Sequence, residues 1–374
     1  MKTFPFTCIL TWALSISLNV LMAQEASPYS PLSSKVEETL SKDSLKILAI
    51  GNSYTIDATA LLPLLVNESK VNVQNMCLYR AVRGSGSFYT WFNCWNDNDD
   101  RTYSIGKVLG GIKANVATGT GEALDGSLFR KLLSDEQWDI ILLNQVSQYA
   151  PYFELWKQNN SNGCLNELLE IIHQYQPQAV IGFLIVHSYC SEDGRNTERY
   201  SALDRWKLIA NSIKKLTGDY DIDFIIPYGT AVQNLRSTSY NNEYDLTRDG
   251  SHLGIGLARY TAACCFYQSL IAPRSGVSVI GNSARFDVTE ADASYHSSIS
   301  VNDDNASIAQ LAADLAVKHP YECINPEAVL SVKSLSTTDN VEFYSLEGVR
   351  LNNLQKGLNI IRTKNGTVRK VISK

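Results

Sequence analysis

From Lys46 onward the chain alternates short, continuously apolar runs with longer stretches whose apolar residues recur at helical spacing. Five runs read as strands: Lys46–Ile50 (KILAI), Val71–Leu78, Trp138–Leu143 (WDIILL), Ala179–Val186 (AVIGFLIV) and Asp223–Pro227 (DFIIP). The helical pattern runs through Leu61–Val66, Leu165–Tyr175, Tyr200–Leu216, Gly254–Leu270 and Ala306–Lys318. Strands that are apolar throughout are buried on both faces, and strands separated by helices pair in parallel. The pattern therefore predicts an α/β domain with a parallel sheet covered by helices on both sides. Two stretches, Ala81–Leu132 and Gly276–Asn305, break the alternation and read as long irregular insertions, which in compact domains often carry function.

Both ends of the chain depart from this pattern. Lys2 is the only charge before Glu25, and an apolar stretch from Phe4 to Leu21 closes on Leu-Met-Ala at Leu21–Ala23. This predicts a signal peptide over residues 1–23, cleaved after Ala23, and a secreted, periplasmic or cell-surface protein with no membrane span left. The apolar run is nearly long enough to remain as an anchor, but the Ser/Pro-rich segment that follows favours cleavage. Residues 24–44 read as a linker. After Pro326 come short strand-like runs at Val341–Tyr344, Gly357–Arg362 and Val368–Ile372, with glycine-containing turns. They predict a small all-β module over 326–374, leaving 45–325 for the α/β domain.

A chain of 374 residues, 44% of them hydrophobic and 19% charged, can bury one sizeable core plus a small appendage. Its net charge of −5 and pI near 5.6 give no electrostatic reason to expect nucleic acid or an anionic membrane as partner. Of eight cysteines, seven remain once Cys8 is lost with the signal, and an odd count in an oxidising compartment leaves at least one free thiol. Cys77 and Cys94 could pair across a loop, whereas Cys264 and Cys265 lie in an apolar helical run and read as buried hydrophobes. No Cys-x-x-Cys or His/Cys spacing points to a metal, and no organic cofactor is expected.

Two polar constellations carry chemistry. Gly51-Asn52-Ser53-Tyr54-Thr55 follows the first strand directly. Ligands of open α/β sheets bind beyond the carboxyl ends of the strands, and a serine there sits near a helix N-terminus that favours developing negative charge. The same three residues also make an ordinary turn and helix cap. Asp249-Gly250-Ser251-His252 comes late in the α/β unit, before the helix that begins near Gly254. A serine hydroxyl needs an adjacent base, itself oriented by an acid, and this spacing can present carboxylate and imidazole on one turn. Separately, His252 would be a surface histidine and Asp249 a turn residue.

A strand followed by Gly-Asn-Ser, with a late Asp-x-x-His, resembles the SGNH (GDSL-like) hydrolase superfamily, in a branch reading Gly-Asn-Ser for Gly-Asp-Ser. The resemblance covers about Leu45 to Tyr321. It implies a flavodoxin-like three-layer sandwich with a five-stranded parallel sheet. It also implies Ser53 as nucleophile, His252 as base and Asp249 as its orienting acid. The family's second block supplies a glycine N–H to the oxyanion, matched here by Gly84, or else Gly86, in Arg83-Gly84-Ser85-Gly86-Ser87. The third block normally ends in Gly-x-Asn-Asp; Leu143-Asn144-Gln145-Val146-Ser147-Gln148 stands in its place. Gln145 is the first choice for the side-chain donor, with Asn144 and Gln148 as alternatives, beside the N–H of Ser53. The C-terminal segment resembles the sorting modules of type IX secretion, which would make that machinery a partner. The expected function is hydrolysis of a small ester, such as an O-acetyl group on a carbohydrate. A non-catalytic glycan-binding or surface protein on a degenerate scaffold is the alternative, and a lipase a poorer third. Trp91, Trp95, Tyr149, Tyr152 and Phe153 would suit either sugar stacking or core packing. His187, at a strand end, reads as a buried, hydrogen-bonded histidine.

Overall fold

The computed structural model describes residues 32–96, 103–110, 126–330, 342–345, 348–353, 355, 357–362 and 368–373. The expected signal peptide, and Cys8 within it, lies outside the described residues. Strands β1 (Leu45–Gly51), β2 (Met76–Val82), β3 (Ser104–Leu109), β4 (Ile140–Leu143), β5 (Val180–Leu184) and β6 (Phe224–Ile226) form one sheet in the order β3-β2-β1-β4-β5-β6. The five strands from β2 to β6 across that order, β3 excepted, are parallel. Taken alone they follow the flavodoxin-like order, second-first-third-fourth-fifth. Every residue of β4 and β5 is buried, and only Lys46 of β1 is not, as a sheet covered on both faces requires.

The helices fall into two groups that pack among themselves. Phe88–Trp95, Gly126–Ser134 and Leu165–Tyr175 make one; Ser53–Thr59, Tyr228–Arg236, Leu257–Phe266 and Asp303–Lys318 make the other. With the sheet between them they give a three-layer α/β sandwich. A separate antiparallel sheet of β7 (Glu342–Tyr344), β8 (Arg350–Leu351), β9 (Gly357–Arg362) and β10 (Val368–Ser373) runs in the order β10-β9-β7-β8. Among the described residues no helix is long and apolar enough to cross a membrane.

Several expectations are corrected. Within the supposed linker, Ser34–Ser41 is a helix capped by the Ser33 hydroxyl, and it buries Val36 and Leu40 in the core. The second strand begins at Met76 rather than Val71, because Leu45 is the first residue of β1 and pairs with Met76. The described residues of the stretch Ala81–Leu132 are not wholly irregular: among them are two helices and the edge strand β3, antiparallel to β2 with a register shift at Leu78/Tyr79. Cys77 and Cys94 are both free and buried, one within β2 and the other within the helix Phe88–Trp95. All seven cysteines from Cys77 onward are unbridged. Cys264 and Cys265 are fully buried, consistent with their reading as small hydrophobes.

The chain leaves β1 for β2 on one side, then returns to place β4 on the other. The crevice between the ends of β1 and β4 is thus the topological switch point, where open α/β sheets bind ligands. Ser53 lies just past β1, Gln145 just past β4, and Gly84 just past β2.

Candidate active site

The first constellation is built by a division of labour between neighbours. Asn52 caps the helix Ser53–Thr59: its Oδ1 accepts from the Tyr54 N–H at 3.0 Å, and its Nδ2 donates to the Gly86 carbonyl at 3.0 Å. Ser53 is the first helical residue, and its hydroxyl is not spent on capping. Gly51 is required by space, since a Cβ there would lie 2.0 Å from Asn144 Oδ1 and 2.3 Å from Thr55 Oγ1. Those two atoms are themselves hydrogen-bonded at 2.7 Å, tying the helix Ser53–Thr59 to the residue that follows β4.

The second constellation closes on the first. His252 Nε2 lies 2.8 Å from Ser53 Oγ, and His252 Nδ1 lies 2.6 Å from Asp249 Oδ2. A carboxylate can only accept, so Nδ1 carries the proton and Nε2 is left to accept from the serine hydroxyl. Asp249 Oδ1 also accepts from the backbone N–H groups of Ser251 (3.0 Å) and His252 (2.8 Å). Burial pushes the Asp249 carboxyl upward, but these donors and the imidazole outweigh it and hold it down at about 2. Asp249 is therefore ionised at any working pH. Gly250 adopts φ +83° and a Cβ there would meet Asp193 Oδ2 at 2.0 Å, so only glycine fits between the two functional residues. Arg195 grips Asp193 and donates to the Asp249 carbonyl at 2.9 Å, backing the turn from behind.

The residues considered as oxyanion donors differ in what their N–H groups are doing. Gln145 is buried; its Oε1 accepts from the N–H groups of Val146 (2.9 Å) and Phe88 (3.4 Å), while its Nε2 is buried without a partner. Asn144 is committed at both ends, accepting from Thr55 and donating to the Gln145 carbonyl at 3.3 Å. Gln148 is exposed. The Gly86 N–H is engaged, donating to the Arg83 carbonyl at 3.0 Å, whereas Gly84 is exposed, with open space where a Cβ would stand.

Several contributing residues escape the motif reading. Tyr54 bridges the two constellations, its hydroxyl 2.9 Å from Ser251 Oγ and its ring edge-on to His252. Beneath it lies His187, fully buried, stacked on Tyr54 with ring centroids 3.9 Å apart; its Nε2–H donates to the Ser251 carbonyl at 2.7 Å. Burial, helped by the Arg236 charge, pushes the His187 pKa well down and keeps the ring neutral. Asp57, fully buried one turn after Ser53, binds Arg248, Arg259 and the Leu253 N–H. A single carboxylate inside the apolar run from Tyr54 to Val66 is the one sequence signal that could have flagged it. The aromatic residues mostly belong to the core: Trp91 is buried and donates to the Gly51 carbonyl, Phe153 is buried, and Trp95 packs on Tyr175. Tyr149 and Tyr152 are half-buried. Among the described residues no group of three or more His, Cys, Asp or Glu side chains is placed to hold a metal ion.

A DUF4886 family protein from Bacteroides uniformis superposes with a TM-score of 0.59 at 24% identity, covering 76% of this chain and 98% of its own. A protein from Slackia heliotrinireducens, provisionally assigned as an SGNH hydrolase, lies further off. It has a TM-score of 0.38 and 15% identity, covering 63% of this chain and 100% of its own. No curated protein matches the chain. The family described as domain of unknown function DUF4886 matches residues 46–302, a span that contains every site residue above, and the chain belongs to that family.

Proposed function

We propose that this protein is a serine ester hydrolase of the SGNH type, with Ser53 as nucleophile, His252 as general base and acid, and Asp249 as the group that orients it. The observation that carries this reading is the unbroken chain from Ser53 Oγ to His252 Nε2 (2.8 Å) and from His252 Nδ1 to Asp249 (2.6 Å). It is the arrangement that makes a hydroxyl nucleophilic at neutral pH.

In the proposed reaction Ser53 Oγ attacks the ester carbonyl carbon as its proton passes to His252 Nε2. The carbonyl oxygen, now negative, takes hydrogen bonds from the N–H groups of Ser53 and Gly84 and from Gln145 Nε2. The helix at Ser53 is seven residues long, so these individual donors carry the stabilisation rather than a long helix dipole. Collapse breaks the bond to the alkoxy oxygen, which receives the proton from His252, and leaves acyl-Ser53. Water then repeats the sequence, giving up its proton to His252, and releases the acid and free Ser53.

The unpartnered Nε2 of Gln145 supports a ligand acceptor at this crevice, because a buried donor without an acceptor costs stability and is sustained where a ligand supplies one; the reading of hydrolysis rests on the Ser53–His252–Asp249 chain. The acyl group we propose is small, acetyl above all, and the alcohol a carbohydrate outside the cytoplasm; Tyr149 and Tyr152, half-buried in the loop after Gln145, remain able to meet a sugar ring. Acetate release from a panel of acetylated polysaccharides, with Ser53→Ala alongside wild type, tests this. Loss of turnover by about 10⁴-fold or more in the variant is expected. Release at the wild-type rate by Ser53→Ala would sink the proposal, and oligosaccharide binding without any ester cleavage would favour a binding protein.

A further inference from the structure

Asp57 stands one helical turn after Ser53, on the same face of the helix Ser53–Thr59. Its side chain is buried completely, in a place where apolar packing would ordinarily serve. The carboxylate is instead saturated by donors from one region of the chain. Oδ1 accepts from Arg248 Nη1 (2.9 Å) and from Arg259 Nε and Nη2 (3.0 and 2.7 Å), and Oδ2 accepts from the Leu253 N–H (2.9 Å).

Arg248 and Leu253 are the residues immediately before Asp249 and immediately after His252. Arg248 closes the loop on itself as well, its N–H donating to the His252 carbonyl at 2.8 Å and its Nη1 to the Leu253 carbonyl at 2.7 Å. Both flanks of the functional turn are therefore held by one carboxylate on the helix that begins with the nucleophile. We propose that Asp57 is a positioning residue of the hydrolytic site: it clamps the Arg248–Leu253 loop to the nucleophile's helix and thereby sets the distance from His252 Nε2 to Ser53 Oγ. Arg259, from the first turn of Leu257–Phe266, braces the same carboxylate against a second helix. This rests on the proposed ester hydrolysis and adds to it the part that fixes the geometry of base and nucleophile.

A clamp of this kind acts on the transition state and not on substrate affinity, since a shift of about 1 Å in reacting groups can cost about 10²-fold in rate. The test is steady-state hydrolysis of p-nitrophenyl acetate by wild type, Ser53→Ala, Asp57→Asn and Arg259→Gln, with circular dichroism on each. Asp57→Asn is expected to lose about 10- to 100-fold in kcat with KM within about twofold of wild type, and Arg259→Gln to lose less in the same parameter. Folded variants that keep the wild-type kcat and only melt earlier, or that raise KM alone, would overturn the clamp. Should Asp57→Asn fail to fold, Arg259→Gln decides by the same split. Wild-type turnover that Ser53→Ala abolishes and Asp57→Asn leaves intact overturns this inference alone. Absence of any turnover dependent on Ser53 overturns it together with the reading beneath it.

Discussion

The two halves of the site are held in different ways. On the side of the proposed nucleophile Asn52, Tyr54, Thr55 and Asp57 are all buried, and Ser53 inherits its place from β1, the Asn52 cap and the fit of Gly51 against Asn144 and Thr55. On the side of the proposed acid–base pair the Asp249 side chain is 43% exposed and that of His252 25%. Their place comes from polar attachments: Asp57 at both flanks, Arg195 behind, and Tyr54 through Ser251. Close packing positions a group by excluding alternatives, whereas hydrogen bonds to an exposed turn position it only while each partner is present. Substitutions on the acid–base side should therefore change rate more than stability, and those beneath the nucleophile should change stability as well.

The largest expected effect tests the exposed side. Asp249→Asn keeps the shape of the turn but presents a donor, or a weaker acceptor, to His252 Nδ1. It should lower kcat by about 10⁴-fold and the melting temperature only modestly, by the screened contribution that the partly exposed carboxylate makes when ionised. A comparable loss of stability, or a rate within tenfold of wild type, would break the contrast. Next comes Gln145→Leu, which removes a buried donor with no partner in the free protein. A loss of about 10²–10³-fold in kcat is expected, together with a loss of about 1–3 kcal/mol of stability, because the N–H groups of Val146 and Phe88 lose Oε1 as their acceptor. An unchanged kcat would remove Gln145 from the oxyanion site.

The smallest effect separates the two sides by pH. The pKa of His187, buried beneath Tyr54, lies well below its ordinary 6.5 because of burial first and the Arg236 charge second. Below pH 6.5 the unfolded chain binds a proton that the folded protein refuses, so stability falls as pH drops, by about 1.4 kcal/mol per unit. Asp249 works in another window. Its folded value of about 2 lies below its ordinary 3.8, so its contribution is full above 3.8 and is lost only as pH falls toward 2. Denaturant unfolding at pH 7.5, 6.5 and 5.5 should show the slope below 6.5 in wild type and its loss in His187→Gln. An identical slope in both proteins would assign it to other groups.

Much of this was visible in the sequence. The continuous apolar runs located the parallel strands, and the Asp249–His252 spacing pointed to a turn that the structure brings onto Ser53. What escaped was carried by short or alternating patterns. Strand β3 (SIGKVL) buries only Ile105 and Leu109, because an edge strand exposes its other positions and interposes glycine and lysine. The helix Ser34–Ser41 is two turns long and rests on Val36 and Leu40, too few apolar positions to announce a period. Asp57 and its arginines lie 191 and 202 residues apart in the chain, so no local pattern can join them. That the amide of Asn144 is engaged at both ends while Gln145 Nε2 is left without a partner is decided by the folded neighbourhood, which no local pattern reveals.

The central claim is that Ser53 forms a covalent acyl intermediate with His252 as its base. Rapid acid quench of the protein with p-nitrophenyl acetate, followed by peptide mass spectrometry, reads this directly. The account predicts an acetyl group on the peptide containing Ser53 in wild type, and none in Ser53→Ala or His252→Ala. An acetyl group on another residue, or the same adduct forming at an undiminished rate without His252, would contradict it.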